Sequence, residues 1–142
     1  MIQDKEKNIT QLGKLGEYLV IVELLKLDIE AYQSNIKNQE DWDITIILNN
    51  LSVKRIQVKT TSLQNDSTNN SLKGTNKNYD FLVIVIQDVD QYSFLILTKD
   101  EVNKEKGTNK DFSISKKSSQ KYIIKENLRK YEQQWEKLTL NT

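Results

Sequence analysis

The stretch Asp43-Ile44-Thr45-Ile46-Ile47-Leu48, a turn at Asn49-Asn50, and a second run from Val53 to Thr61 centred on Ile56-Gln57-Val58-Lys59 decide how this chain folds. Side chains alternate across a strand, so each run has two unlike faces. Pairing the runs as a hairpin puts Ile44, Ile46 and Leu48 on one face with Ile56 and Val58, because that is the face a core would bury. The other face then collects Asp43, Thr45, Arg55, Gln57 and Lys59. A connection of three or five residues satisfies the pattern and sets Asp43 across from Gln57 or Lys59.

Outward from the hairpin, the spacing predicts a helix capped by Thr10 and running to about Leu27. One stripe is Leu12, Leu15, Leu19 and Val22, and a second is Gly13, Glu17, Val20 and Leu24. With apolar residues nearly all round, its middle is expected to be covered on both sides. Glu17 stands inside the second stripe, where a carboxylate needs a cationic partner. Glu30 to Gln33 reads as a short strand. Residues 62–78, rich in Asn, Ser and Thr, read as a long mobile loop. Phe81 to Ile86 is a continuous apolar run suited to a strand buried on both faces, and Tyr92 to Leu97 follows as another. Thr98 and Glu101 form a capping box for a helix stopping near Gly107, Phe112 to Ile114 gives a short strand, and Leu128, Tyr131, Trp135 and Leu138 mark one face of a closing helix over about 125–138. Trp135 and Tyr131 read as core rather than base-stacking groups. The elements describe one α/β domain over residues 1–142, with a mixed central sheet flanked by helices and its core over about 8–97.

Composition restricts the chemistry. A chain of 142 residues has room for one core. It holds no Cys and no His, which excludes disulfides, thiol nucleophiles, histidine triads and His- or Cys-bound metals. Acid–base work falls to Asp, Glu, Lys or Tyr, and any metal would sit on oxygen donors, which suits Mg²⁺ or Mn²⁺. With four glycines in all, no glycine-rich phosphate loop is present. There is no signal-peptide core and no apolar run long enough for a bilayer, so a cytoplasmic protein without membrane contact is expected. Net charge is only +1, yet the chain leans acidic up to Asp43 and basic from Lys104 to Lys130. An acidic pocket beside a basic surface suits metal-assisted cleavage of a polyanion; a charge run by itself is usually a solvated face.

A helix glutamate, a strand-start aspartate and a hairpin strand bearing Gln57-Val58-Lys59 resemble the PD-(D/E)XK nuclease superfamily, whose restriction-endonuclease-like fold follows the same element order. The Gln variant is most similar to intron-encoded homing endonucleases, and Gly13 to Glu17 resembles the Gly-x-x-Gly-Glu helix of archaeal Holliday-junction resolvases. Trp42 stands where the family has Pro, and Gln57 where it usually has an acid. The resemblance implies a Mg²⁺-dependent endodeoxyribonuclease (Mn²⁺ as a substitute) acting on duplex or branched DNA. Asp43, Gln57, the Val58 carbonyl and Glu17 would be the metal ligands, and Lys59 the catalytic cation or base. DNA contacts are expected from Arg55, Thr61, Lys73, Lys77, Lys116 and Lys117. One small domain carries one such site, so cutting two strands implies a homodimer or higher homo-oligomer. Two other readings fit the residues: a catalytically inactive DNA-binding module on the same fold, and a protein-interaction or immunity module. Lys59 could equally form a surface ion pair with Asp43.

Overall fold

The computed structural model describes residues 9–34, 41–64 and 70–140. Asn8, at the expected start of the core, and residues 65–69 of the expected loop lie outside them. Nine strands and two α-helices follow in the order α1 (Ile9–Lys26), β1 (Glu30–Gln33), β2 (Ile44–Ile47), β3 (Val53–Ser62), β4 (Ser71–Leu72), β5 (Phe81–Asp88), β6 (Gln91–Thr98), α2 (Lys99–Lys106), β7 (Phe112–Ser113), β8 (Ser115–Ser118) and β9 (Lys121–Ile124) among the described residues. Two 3₁₀ segments, Glu126–Tyr131 and Trp135–Leu138, close the chain. The main sheet has the order β1-β2-β3-β5-β6. Its β3–β5 pair is parallel and its other pairs are antiparallel, which makes it mixed.

The hairpin register is the one hydrophobic patterning predicts. Ile44 pairs with Ile56 and Thr45 with Arg55, joined through the five residues Leu48–Ser52. Asn50 Oδ1 accepts from Ser52 N at 3.0 Å and from Ser52 Oγ at 2.6 Å, which fixes the turn. Ile44, Ile46, Leu48, Ile56 and Val58 enter one core with Val20 and Leu24 of α1. Fully burying each aliphatic side chain contributes roughly 1.5–3 kcal/mol. β5 divides its apolar run between the two faces of the sheet: Phe81, Val83 and Val85 join the α1 core, whereas Leu82, Ile84 and Ile86 join a second core with Val102, Phe112 and Leu128.

α1 departs from expectation in two ways. Thr10 lies inside the helix rather than at its cap. Its burial is also one-sided: Leu12, Val20 and Leu24 are buried with Gly16 between them, while Tyr18, Val22 and Leu25 are 52%, 50% and 54% exposed. A single sheet can cover only the i, i+4 row that faces it. The helix stops where Asp28 takes a left-handed conformation (φ 59°). There Ile29 N donates to Leu24 O and Asp28 N to Leu25 O, at 3.0 Å each, so the last carbonyls are satisfied.

The closing helix is not formed. Leu128, Tyr131, Trp135 and Leu138 are all buried, but Leu128 and Tyr131 belong to the second core and Trp135 and Leu138 to the first. Between the two 3₁₀ segments Glu132 bridges to Leu95, and Gln133 N donates to Phe94 O at 2.9 Å. The chain wraps the edge of β6 and pairs its open backbone groups, a tertiary gain that outweighs helical periodicity. α2 does form as expected, with the Thr98–Glu101 capping box complete.

The long-loop reading of residues 62–78 also changes. Ser71–Leu72 pairs with Phe112–Ser113, and Leu72, Thr75 and Tyr79 are buried. Thr61 Oγ1 donates to Asn70 Oδ1 (2.8 Å), Asn78 N donates to Asp41 Oδ1 (3.1 Å), and Asp80 N donates to Arg55 O (2.9 Å). Residues 70–80 therefore run as a strip down the polar face of β3. Ser115–Ser118 and Lys121–Ile124 form a hairpin that hydropathy does not mark.

Candidate active site

β2 begins only at Ile44, whereas its partner β3 runs on past that point, which leaves a notch in the sheet. Asp43 stands at that notch. Its backbone N donates to Ile56 O at 2.9 Å. Its carboxylate then does what a residue extending β2 before Asp43 would have done, accepting from Val58 N through Oδ2 at 2.8 Å. A residue's N–H and C=O leave a strand on the same side, so the Val58 carbonyl also opens toward the notch. Continuing the register places Gln57 opposite Asp43 on the same face, where it is only 4% exposed beneath the 70–80 strip.

Glu17 reaches the notch from the other layer. Gly16, its neighbour in α1, lies against Thr60 of β3, and an added Cβ there would run into the Thr60 hydroxyl and come 2.9 Å from Thr60 Cβ. The missing side chain lets helix and strand approach closely. Glu17 makes a side-chain hydrogen bond with Asp43. Burial, then the neighbouring Asp43 charge, raises the Glu17 pKa above its usual 4.5, with Lys14 opposing. Asp43 is also raised, chiefly by burial, although the Val58 N–H, Lys59, Glu17 and Lys14 all favour its charged form. For both acids, burial is the main reason the charged form is disfavoured.

The donor set fits a hard cation. Asp43 and Glu17 meet directly, Val58 offers a carbonyl, and Gln57 is the facing residue, so every candidate donor is oxygen. Among the described residues no three Asp, Glu, His or Cys side chains gather as a metal cluster. The site thus has two carboxylates where a more anionic one would have three. Lys59 acts electrostatically on Asp43, and its Nζ lies 3.5 Å from where a Cβ on Gly74 would be.

The expected DNA-contacting residues divide. Lys73 and Lys77 lie on the 70–80 strip near Lys59. Arg55 is engaged, with Nε 3.3 Å from Asp80 Oδ2 and its guanidinium 5.3 Å from the Trp42 ring centroid. Thr61 is 0% exposed; its hydroxyl is held by Asn70, so it cannot meet a nucleic acid. Lys116 and Lys117 sit on the β8–β9 hairpin, which Gln64 fastens through Tyr122 beside Asp88. Asp88 lies four residues along β5 from Ile84, the partner of Lys59, or about 13 Å further along the sheet. Lys14 is the addition that sequence reading missed. It bears on both carboxyl groups, and its i, i+3 spacing from Glu17 is the available signal.

No family model matches the chain, and no curated protein matches its sequence. Solved structures do share its architecture. One is the bacterial homing endonuclease I-Ssp6803I, at a TM-score of 0.63 over 93% of this chain and 93% of that one, with 13% identity. At that identity the likeness is one of fold: the chain is a mixed-sheet α/β domain built like a bacterial homing endonuclease.

Proposed function

We propose that this chain is a metal-dependent endodeoxyribonuclease of the PD-(D/E)XK type, with its active site at the β2 notch. The observation that carries the reading is the Glu17–Asp43 pair, two half-buried carboxyl groups brought together from different layers of the fold. Like charges so placed call for a cation between them. Asp43, Glu17, the Gln57 amide and the Val58 carbonyl would hold Mg²⁺ or Mn²⁺. The ion would withdraw charge from the scissile phosphate and make water a usable nucleophile near neutral pH. The Val58 N–H fixes the Asp43 carboxylate in place. Lys59, beside Asp43, would orient the attacking water or offset charge on the phosphate. DNA as substrate is supported by the shared fold, because the solved counterpart is a homing endonuclease. One site per chain implies a homodimer or larger homo-oligomer for cutting both strands.

A non-catalytic DNA-binding module on the same fold is the second reading. It is favoured by Gln57 standing in place of a third acid, and by the absence of a three-acid cluster among the described residues. Supercoiled plasmid and a four-way junction, incubated in Mg²⁺ or Mn²⁺ with wild type and with Lys59→Ala, separate the two. The nuclease reading expects metal-dependent nicking that falls by roughly 10²-fold or more in the variant. DNA binding with no cleavage of either substrate would favour the non-catalytic module, and full activity in Lys59→Ala would refute the site.

A further inference from the structure

The strip that roofs β3 has an outer side. Lys73, Gly74 and Lys77 on the strip, with Lys106 and Lys110 at and beyond the end of α2, line a half-open cleft of about 550 Å³ in which Asp111 is the one lining carboxylate among the described residues. The β4–β7 pairing, Leu72 to Phe112 and Ser71 to Ser113, holds the two walls together. Gly74 links the cleft to the notch: in its left-handed conformation (φ 67°), a Cβ would stand 3.5 Å from Lys59 Nζ and 3.8 Å from Lys77 Cε.

The lysines around α2 fall into two groups. Lys130 and Lys137 are neutralised by Glu105 and Glu101, at 3.5 Å and 2.8 Å. Lys73, Lys106 and Lys110 of the cleft make no ion pair among the described residues. Like charges gathered in a groove repel one another and focus a positive potential, which a polyanion relieves. By contrast, Lys117 on the β8–β9 hairpin lies over the Tyr122 ring, 5.7 Å from its centroid.

We propose that this cleft is the channel for the nucleic-acid backbone flanking the cleavage position, with Lys106 and Lys110 contacting phosphates and the Lys116–Lys117 hairpin outside the footprint. The proposal rests on the nuclease reading only for placing the scissile phosphate beside Lys59. Channel binding itself needs neither metal nor cleavage.

The test is fluorescence anisotropy of a labelled DNA duplex in EDTA across a salt series. The proteins are wild type, the double variant Lys106→Gln with Lys110→Gln, and the control Lys116→Gln with Lys117→Gln, each checked by thermal melting. The cleft variant should bind about tenfold or more weakly near 0.1 M salt, and its slope of log K against log salt should shrink by about two. The control should keep the wild-type slope. An unchanged slope in the cleft variant, or an equal loss in the control, overturns the channel while leaving nicking by wild type intact. Binding of polyglutamate but not DNA would also overturn it, in favour of an acidic protein partner. Cleft-dependent DNA binding by a protein that never nicks would sustain the channel and defeat the nuclease reading instead.

Discussion

The two faces of β3 are made by alternate residues of one strand, yet they serve different ends. Ile56, Val58 and Thr60 turn toward α1, and the first two enter the main apolar core. Gln57, Lys59 and Thr61 turn away, and that face is buried as well: Gln57 is 4% and Thr61 0% exposed. The first face is buried because it is apolar. The second is buried because the 70–80 strip lies over it, and its polar groups are kept in spite of the desolvation they suffer. The α1 face therefore holds the fold, while the strip face is arranged around the notch.

Substitutions on each face should therefore behave differently. The largest stability loss is expected for Ile56→Ala, a fully buried position, at about 3–4 kcal/mol in urea melts. A loss below about 1 kcal/mol would mean that the α1 face is not the foundation described. Next comes Gly16→Ala, where the new methyl meets Thr60 and should destabilise by about 2 kcal/mol. Adding Thr60→Ala should recover most of that, and a double mutant no better than the single would show the helix contact to lie elsewhere. On the other face, Gln57→Leu should cost less than Ile56→Ala, about 1–2 kcal/mol, because groups that interact with its buried amide lose their partner. Its nicking activity should nevertheless collapse; a large stability loss with activity retained would reverse the division of labour.

The smallest effect is a pH dependence. Glu17 has a pKa raised by burial and by Asp43 above 4.5. The fold therefore disfavours the charged form, so the associated stability is complete below about pH 4.5 and lost as pH rises through the raised value. Glu17→Gln should accordingly melt a few degrees above wild type at neutral pH in EDTA, with the gap closing toward pH 4. A gap that widens on acidification would contradict the raised Glu17 pKa.

Hairpin and register were legible because period-two alternation over Ile44 to Leu48 and Ile56 to Val58 leaves one way to bury the apolar set, whereas the notch was not, since it depends on where β2 begins. Asp43, Gln57 and Lys59 followed from that register, and Glu17 from its place in an apolar stripe. Thr61 was misread because β-propensity does not tell which polar residue a distant segment will cover. The closing helix failed for a related reason: the i, i+3, i+7 spacing of Leu128, Tyr131 and Trp135 suits a helix, but the open edge of β6 captured Glu132 and Gln133. The exposed row of Tyr18, Val22 and Leu25 shows the same limit, since periodicity marks apolar faces without saying how many of them the chain itself can cover.

The proposed cation-dependent cleavage of DNA rests on Glu17 of α1 and Asp43, just ahead of β2, meeting at the notch. Its most direct test is the rate of plasmid nicking as Mn²⁺ is titrated, for wild type and for Asp43→Asn side by side. The account predicts a saturable rise with Mn²⁺ in wild type and none in the variant, with both proteins melting as folded domains. Equal nicking by the two, or none by wild type at any Mn²⁺ concentration, would contradict it.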